Sequence, residues 1–268
     1  MKPAGSLGKF IAYGIAVGAG FLISSAQAKE NYAVVRAVRG TASYSKDAGK
    51  TWKPVKVAFY LQPGTTVRTG VASTVDLFLG VNGPVVRITP DTELGLDKLY
   101  YEQNAVDTVI ETELNLTNGR ILGNVRKLAE ASRYEVKTPV GVAGIRGTEY
   151  DISVDGTVRI LTGSAVMVYA NPQNPNNPSI VTIHEGEMAR KPGQPGQPVT
   201  TEPIPEADRT QLAAQFQELT VLIRQPNPKP HPESPFFPPT GEAPREIPTL
   251  QPEPFVSPNT GVRNEHRD

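Results

Sequence analysis

Turn-forming pairs cut residues 31–190 into pieces too short for a long helix, and nothing else in the sequence constrains the fold as strongly. Arg39-Gly40, Pro63-Gly64, Asn82-Gly83, Asn118-Gly119 and Asp155-Gly156 each favour a chain reversal. Asn and Gly accept the positive φ that tight turns between strands demand. Between the turns, Val75, Leu77 and Leu79 alternate with Thr74, Asp76 and Phe78, the period of two that buries one face of a strand. Leu114 and Leu116 alternate with Glu113 and Asn115 in the same way. Many short strands with no helical period between them predict an all-β domain, an antiparallel sandwich or roll, with a short β-solenoid as the alternative. Residues 100–107 break this rhythm and read as an excursion, and residues 127–132 read as one helical turn. Trp52 and Phe59 are expected in the core, which a small β-domain must fill with large side chains.

Past residue 190 the chain changes character. Of its 26 prolines, 17 lie at or beyond Pro192, so the compact domain is expected to end before them. The predicted organisation is a signal peptide at 1–28, a β-domain at 29–190, a Pro/Gly linker at 191–204, an amphipathic helix at 205–225 and a disordered proline-rich tail at 226–268. Within the helix, Leu212, Phe216, Leu219 and Ile223 recur at spacings of four, three and four and form one apolar face, expected to pack back on the β-domain. Glu206 and Asp208 fall in its first turn, where carboxylates suit the helix dipole. The tail has too little apolar surface to offset the entropy of ordering it.

At the N-terminus, Lys2 and Lys9 precede an uncharged apolar stretch at 10–23, and residues 24–28 end in the small-residue pattern A-x-A. This is the tripartite export signal, with cleavage expected after Ala28. Fourteen apolar residues fall short of the roughly 20 that span a bilayer. The mature chain is therefore expected in the periplasm or outside the cell, meeting the membrane only during export.

Composition removes several kinds of chemistry. The chain has no cysteine, hence no disulfide, thiolate nucleophile or thiolate metal site. Its formal net charge is zero, a poor match for a nucleic-acid backbone. His184, His231 and His266 are too scattered for a ligand set. Gly141, Gly144 and Gly147 lack the spacing and the following helix of a phosphate cradle. Asp91 and Glu93 sit in a turn with no supporting groups for catalysis. The sequence thus reads as non-enzymatic and without a cofactor. An envelope protein or a glycan is the expected partner, for which Tyr100 and Tyr101 are the candidate binding platform.

One ordered set of motifs remains. It comprises Trp52-Lys53-Pro54-Val55, residues 61–70 (LQPGTTVRTG), 73–79 (STVDLFL), 88–94 (ITPDTEL) and 116–121 (LTNGRI). Next come 134–139 (YEVKTP), 144–150 (GIRGTEY), 163–166 (GSAV) and 185–187 (EGE). In this order the motifs resemble the FecR domain, named for periplasmic regulators of iron uptake, over roughly residues 33–190. The resemblance implies a β-fold and an exported interaction or regulatory role. Those regulators place a cytoplasmic, sigma-binding domain before a membrane span, whereas nine residues precede the apolar stretch here. Any signalling role is therefore expected to need a separate transmembrane partner. Pro139, Gly144, Gly147 and Thr148 read as a structural corner, because proline ends a ladder and glycine permits a sharp bend.

Overall fold

A computed structural model describes residues 28–103 and 107–238. Residues 1–27 of the expected export signal (1–28) and the later part of the expected disordered tail (239–268) lie outside the described residues.

The elements in chain order are β1 (Lys29–Glu30), β2 (Ala33–Arg39), β3 (Ala42–Ser45), β4 (Lys53–Pro54), β5 (Tyr60–Leu61), β6 (Thr65–Thr69), β7 (Thr74–Phe78) and β8 (Val85–Ile88). There follow β9 (Glu93–Gln103), β10 (Thr108–Asn118), β11 (Arg120–Asn124), β12 (Arg133–Thr138), β13 (Gly141–Ser153) and β14 (Val158–Tyr169). The last are β15 (Ser179–His184), β16 (Glu187–Ala189), β17 (Glu202–Pro203) and the helix α1 (Glu206–Ile223). The fold is all-β with one C-terminal helix, as the turn spacing predicts.

The strands form a curled half-barrel with two arms. One arm runs β5-β2-β7-β8-β11, and the other runs β4-β3-β6-β9-β10-β12. The long hairpin β13-β14 belongs to both. Residues 141–144 of β13 pair with β12, residues 149–153 pair with β11, and β14 follows along the other side. A solenoid is thereby excluded, since successive strands cross between arms instead of stacking in repeats. The sheet is also not wholly antiparallel. β10 and β12 run parallel, because the chain leaves the second arm at Asn118-Gly119, lays β11 into the first arm, and returns.

One core fills the space between the arms. Val35, Leu77, Ile88, Ile121 and Ile152 enter it from the first arm, and Val67, Leu94, Leu116, Val136 and Met167 from the second. Two groups tie the arms together. Tyr134 and Tyr150 share a hydrogen bond of 2.8 Å between their hydroxyls, and burial raises the pKa of both above the ordinary tyrosine value. A Cβ at Gly123 would meet the Tyr150 ring, so only glycine fits there.

Asn82 is the second tie. Its side chain is buried and donates to the Tyr100 carbonyl (2.8 Å) and to Thr112 Oγ1 (2.9 Å), while accepting from Asn31 Nδ2 (2.8 Å). Asn82-Gly83 thus does more than turn the chain: it joins three segments distant in sequence.

Several local expectations are corrected. Residues 100–103 are no excursion but the end of β9, paired with β10. Residues 127–132 contain a turn at 130–131 and no helix. Phe59 is in the core, whereas Trp52 is half-buried, with the Arg68 guanidinium stacked 3.9 Å from its ring centroid.

The largest correction concerns the C-terminal segment. Within the expected linker, β17 pairs with β16. Residues 226–238, expected to be disordered, lie on the first arm. The Arg36 guanidinium donates to the Pro226 carbonyl and to Asn227 Oδ1, and Tyr60 Oη donates to the Pro228 carbonyl at 2.6 Å. The Tyr60 amide donates to the buried Ser234 Oγ at 2.9 Å, and Phe236 packs against a cluster of Tyr32, Val34, Tyr60 and Phe78. Outward apolar residues, Tyr32 just before β2, Val34 on β2, Tyr60 on β5 and Phe78 on β7, give the segment something to bury, which composition alone cannot reveal.

Candidate interaction face

The outer surface of each arm is a set of side-chain rows running across the strands, since residues in register share a face. On the first arm one row reads Asp76, Arg87, Leu122, Asp151, Arg159 and Met188. Helix α1 covers it. Leu212, Phe216 and Leu219 bury themselves against Val85, Leu122, Met188 and Ile204. Charges in the row are paired in place. Asp76 receives Arg87 Nε at 2.7 Å, and Arg87 reaches on to Glu218 of the helix at 2.9 Å. Asp151, fully buried, receives Arg120 Nε at 2.6 Å and Arg159 Nη1 at 3.1 Å. A polar cleft of about 220 Å³ remains beside this group, lined by Arg120, Asp151, Ser153, Arg159, Asp208 and Gln211 among others. Its charges neutralise each other, so it fastens the helix to the sheet.

The second arm is different. One row reads Asn115, Lys137, Val142, Val168 and Ile180, and the next reads Glu113, Glu135, Gly144, Val166 and Thr182. Among the described residues, no element packs over these rows. The face divides in two. Toward β10 and β12 it is charged, with Lys98 bonded to Glu111 (2.7 Å), Arg133 to Glu135 (2.7 Å) and Lys137 to Glu113. Toward β14 and β15 it is apolar, with Val166 41% and Ile180 62% exposed beside the half-buried Val142 and Val168. A charged half beside an apolar half is the composition of a protein-binding surface, with anchors in one part and a polar rim in the other.

The residues singled out from the sequence fall in two places. Pro139 and Val140 form the two-residue turn between β12 and β13, which Thr138 Oγ1 closes by donating to the Gly141 carbonyl at 3.0 Å. Gly147 sits where β13 passes from one arm to the other, at φ +66° and with a Cβ position 3.1 Å from Lys127 Cα. Thr148 follows, buried, its amide donating to Val125 and its hydroxyl to Ser164. Gly144 stands apart from these. It lies in the regular ladder, its Cβ position meets only a carbonyl at 3.8 Å, and it opens a gap in the apolar half of the face.

Tyr100 and Tyr101 are neighbours on β9, so the pleat turns them to opposite faces. Tyr101 packs against the core, and Tyr100 is half-buried on the outer side, near Glu111. The apolar stripe of Val142, Val166, Val168 and Ile180 did not stand out in the sequence. Its signal was present: β14 reads apolar on both faces from Ala165 to Tyr169, which one buried face does not require.

Residues 65–166 match the family model described as FecR protein. Over that stretch the chain is similar to the FecR domain. The match runs from β6 into β14, so β1 to β5, β15 and everything after it lie outside the matched stretch. FecR-family domains are typically extracytoplasmic. Among the described residues, no group of three or more His, Asp or Glu is placed to hold a metal ion, and no helix is long and apolar enough to cross a membrane.

Two crystal structures of a "putative anti-sigma factor" from Parabacteroides distasonis are similar to this chain. One superposes with a TM-score of 0.41 at 14% identity, the other with 0.40 at 15%. Each alignment covers 57% of this chain and 64% of the other, so this chain spans less than two thirds of their length. No curated protein sequence matches it.

Proposed function

We propose that this FecR-domain chain is an extracytoplasmic regulatory module that recognises a protein partner. A separate membrane-spanning protein would supply the cytoplasmic, sigma-directed part. Export by the N-terminal signal, with removal of residues 1–28, brings the domain to that partner. The observation that carries the reading is the contrast between the arms: among the described residues, one outer face is sealed by the chain itself, and the other is left open as a charged half beside an apolar half. The FecR match over residues 65–166 supports regulation over simple adhesion.

Deletion of the gene should change at least one sigma-dependent transcript, and the wild-type protein should restore it. The variant Val142→Glu, placed in the middle of the open face, should fold normally and fail to restore the transcript. No change in any sigma-dependent transcript on deletion would remove this reading. A second reading, attachment to an envelope glycan, draws on the outward-facing Tyr100 at the border of the same face. It requires that the protein co-sediment with peptidoglycan and that Tyr100→Ala abolish this.

A further inference from the structure

Among the described residues, strand β15 forms a backbone ladder with β14 alone; its two ends are held by side-chain bonds, Ser179 Oγ to the Gln197 carbonyl at 2.6 Å and the His184 amide to Glu187, and the edge between them has no partner strand. The direction of its amides follows from the second of these contacts. The His184 N–H donates to Glu187 Oε2 at 3.0 Å, so it points away from β14. Backbone groups alternate along an antiparallel strand, so Ile180 and Thr182 present their N–H and C=O groups to the same outer edge. Among the described residues, neither has a backbone partner there. Single-chain proteins block such edges with lysine, proline, inward charges or bulges. From Ser179 to His184 there is none of these: SIVTIH holds no proline and no Asp, Glu, Lys or Arg, and its register with β14 is unbroken.

We infer that a second copy of this chain pairs with β15, edge to edge and antiparallel, about a two-fold axis at Val181. Ile180 of each copy then faces Thr182 of the other, which uses every outward backbone group of those two residues. The ladder ends by itself one step further on. There His184 would face the second copy's Pro178, but its amide is already held by Glu187 and proline has no N–H to offer. The charges also agree. Glu185 falls opposite the second copy's Asn177, so no like charges meet along the pair. On the outer side, Ile180 gains the second copy's Thr182 and Val166 as neighbours, and the stripe from Val142 to Ile180 continues from one copy into the next. Two-fold, isologous association is the commonest symmetry among soluble homo-oligomers. It leaves the charged half of the open face free, so this inference stands or falls apart from the regulatory reading.

Sedimentation equilibrium of the mature chain, over a thousandfold range of concentration starting at about 1 µM, should give a mass that rises toward twice the monomer. Thr182→Pro, which removes an outward N–H at an edge position that tolerates proline, should hold the mass at the monomer value with an unchanged circular dichroism spectrum. Ile180→Lys should do the same and serves if the proline variant does not fold. The register has its own test, because the chain has no cysteine. Val181→Cys places two thiols across the axis at a close, non-hydrogen-bonded pair and should oxidise to a disulfide-linked dimer, whereas Val166→Cys should not. A monomer at every concentration overturns the inference. So does a dimer that survives both edge variants, a Val181→Cys protein that fails to cross-link, or a mass that rises only when another protein is added.

Discussion

The two outer faces of the half-barrel start from similar material and end differently. Both carry rows in which apolar residues stand among charged ones: Leu122 and Met188 between Arg87, Asp151 and Arg159 on the first arm, Val142 and Val168 beside Lys137 on the second. The first arm is covered along its length, by α1 over β8, β11 and β16 and by residues 226–238 over β2 and β5. The second has no cover among the described residues. Local sequence does not separate the two cases. The difference comes from where the chain leaves the sheet: β16 and β17 lie on the first arm's side of β14, so everything downstream falls on that face. An apolar residue turned outward is therefore a structural anchor on one arm and an available contact on the other.

Substitutions on the two faces should separate along the same line. Phe216→Ala removes the largest buried side chain of the helix from the covered face and should cost about 4 kcal/mol in urea unfolding. An unchanged midpoint would mean the helix does not seal that arm in solution. Asp151→Ala leaves Arg120 and Arg159 facing each other without their carboxylate. It should cost about 3 kcal/mol, at the lower end for a broken buried pair because both arginines are partly exposed. A loss well below 1 kcal/mol would show that water reaches the group freely. On the open face, Val166→Thr or Ile180→Thr should change stability by less than about 0.5 kcal/mol, since both are exposed and no described residue packs over either. A loss comparable to that at Phe216 would mean that this face is covered after all, and the contrast between the arms would disappear.

Much of the fold was legible along the chain. The alternation of Val75, Leu77 and Leu79 identified the inward side of β7, and the spacing of Leu212, Phe216 and Leu219 identified the buried side of α1, because periodicity reports which side chains share a face. It does not report what lies opposite. Asp76 and Phe78 were on the supposedly solvated side of β7, yet Asp76 is buried under Arg87 and Phe78 under the C-terminal segment. The interaction face was harder still, since its residues come from six strands between Lys98 and Thr182 and become neighbours only through register.

The sequence alone determined the class of fold, most of the places where strands end, and the helix with its buried stripe. These follow from local propensity and composition, which act over a few residues. At Asn118-Gly119, by contrast, the chain passes from one arm to the other without reversing. Tertiary structure decided the parallel pairing of β10 and β12, the ordering of residues 226–238, and which of two outer faces would be left open. Each depends on contacts between segments far apart in the chain, and such contacts form only when a surface able to bury apolar area already exists on the other side.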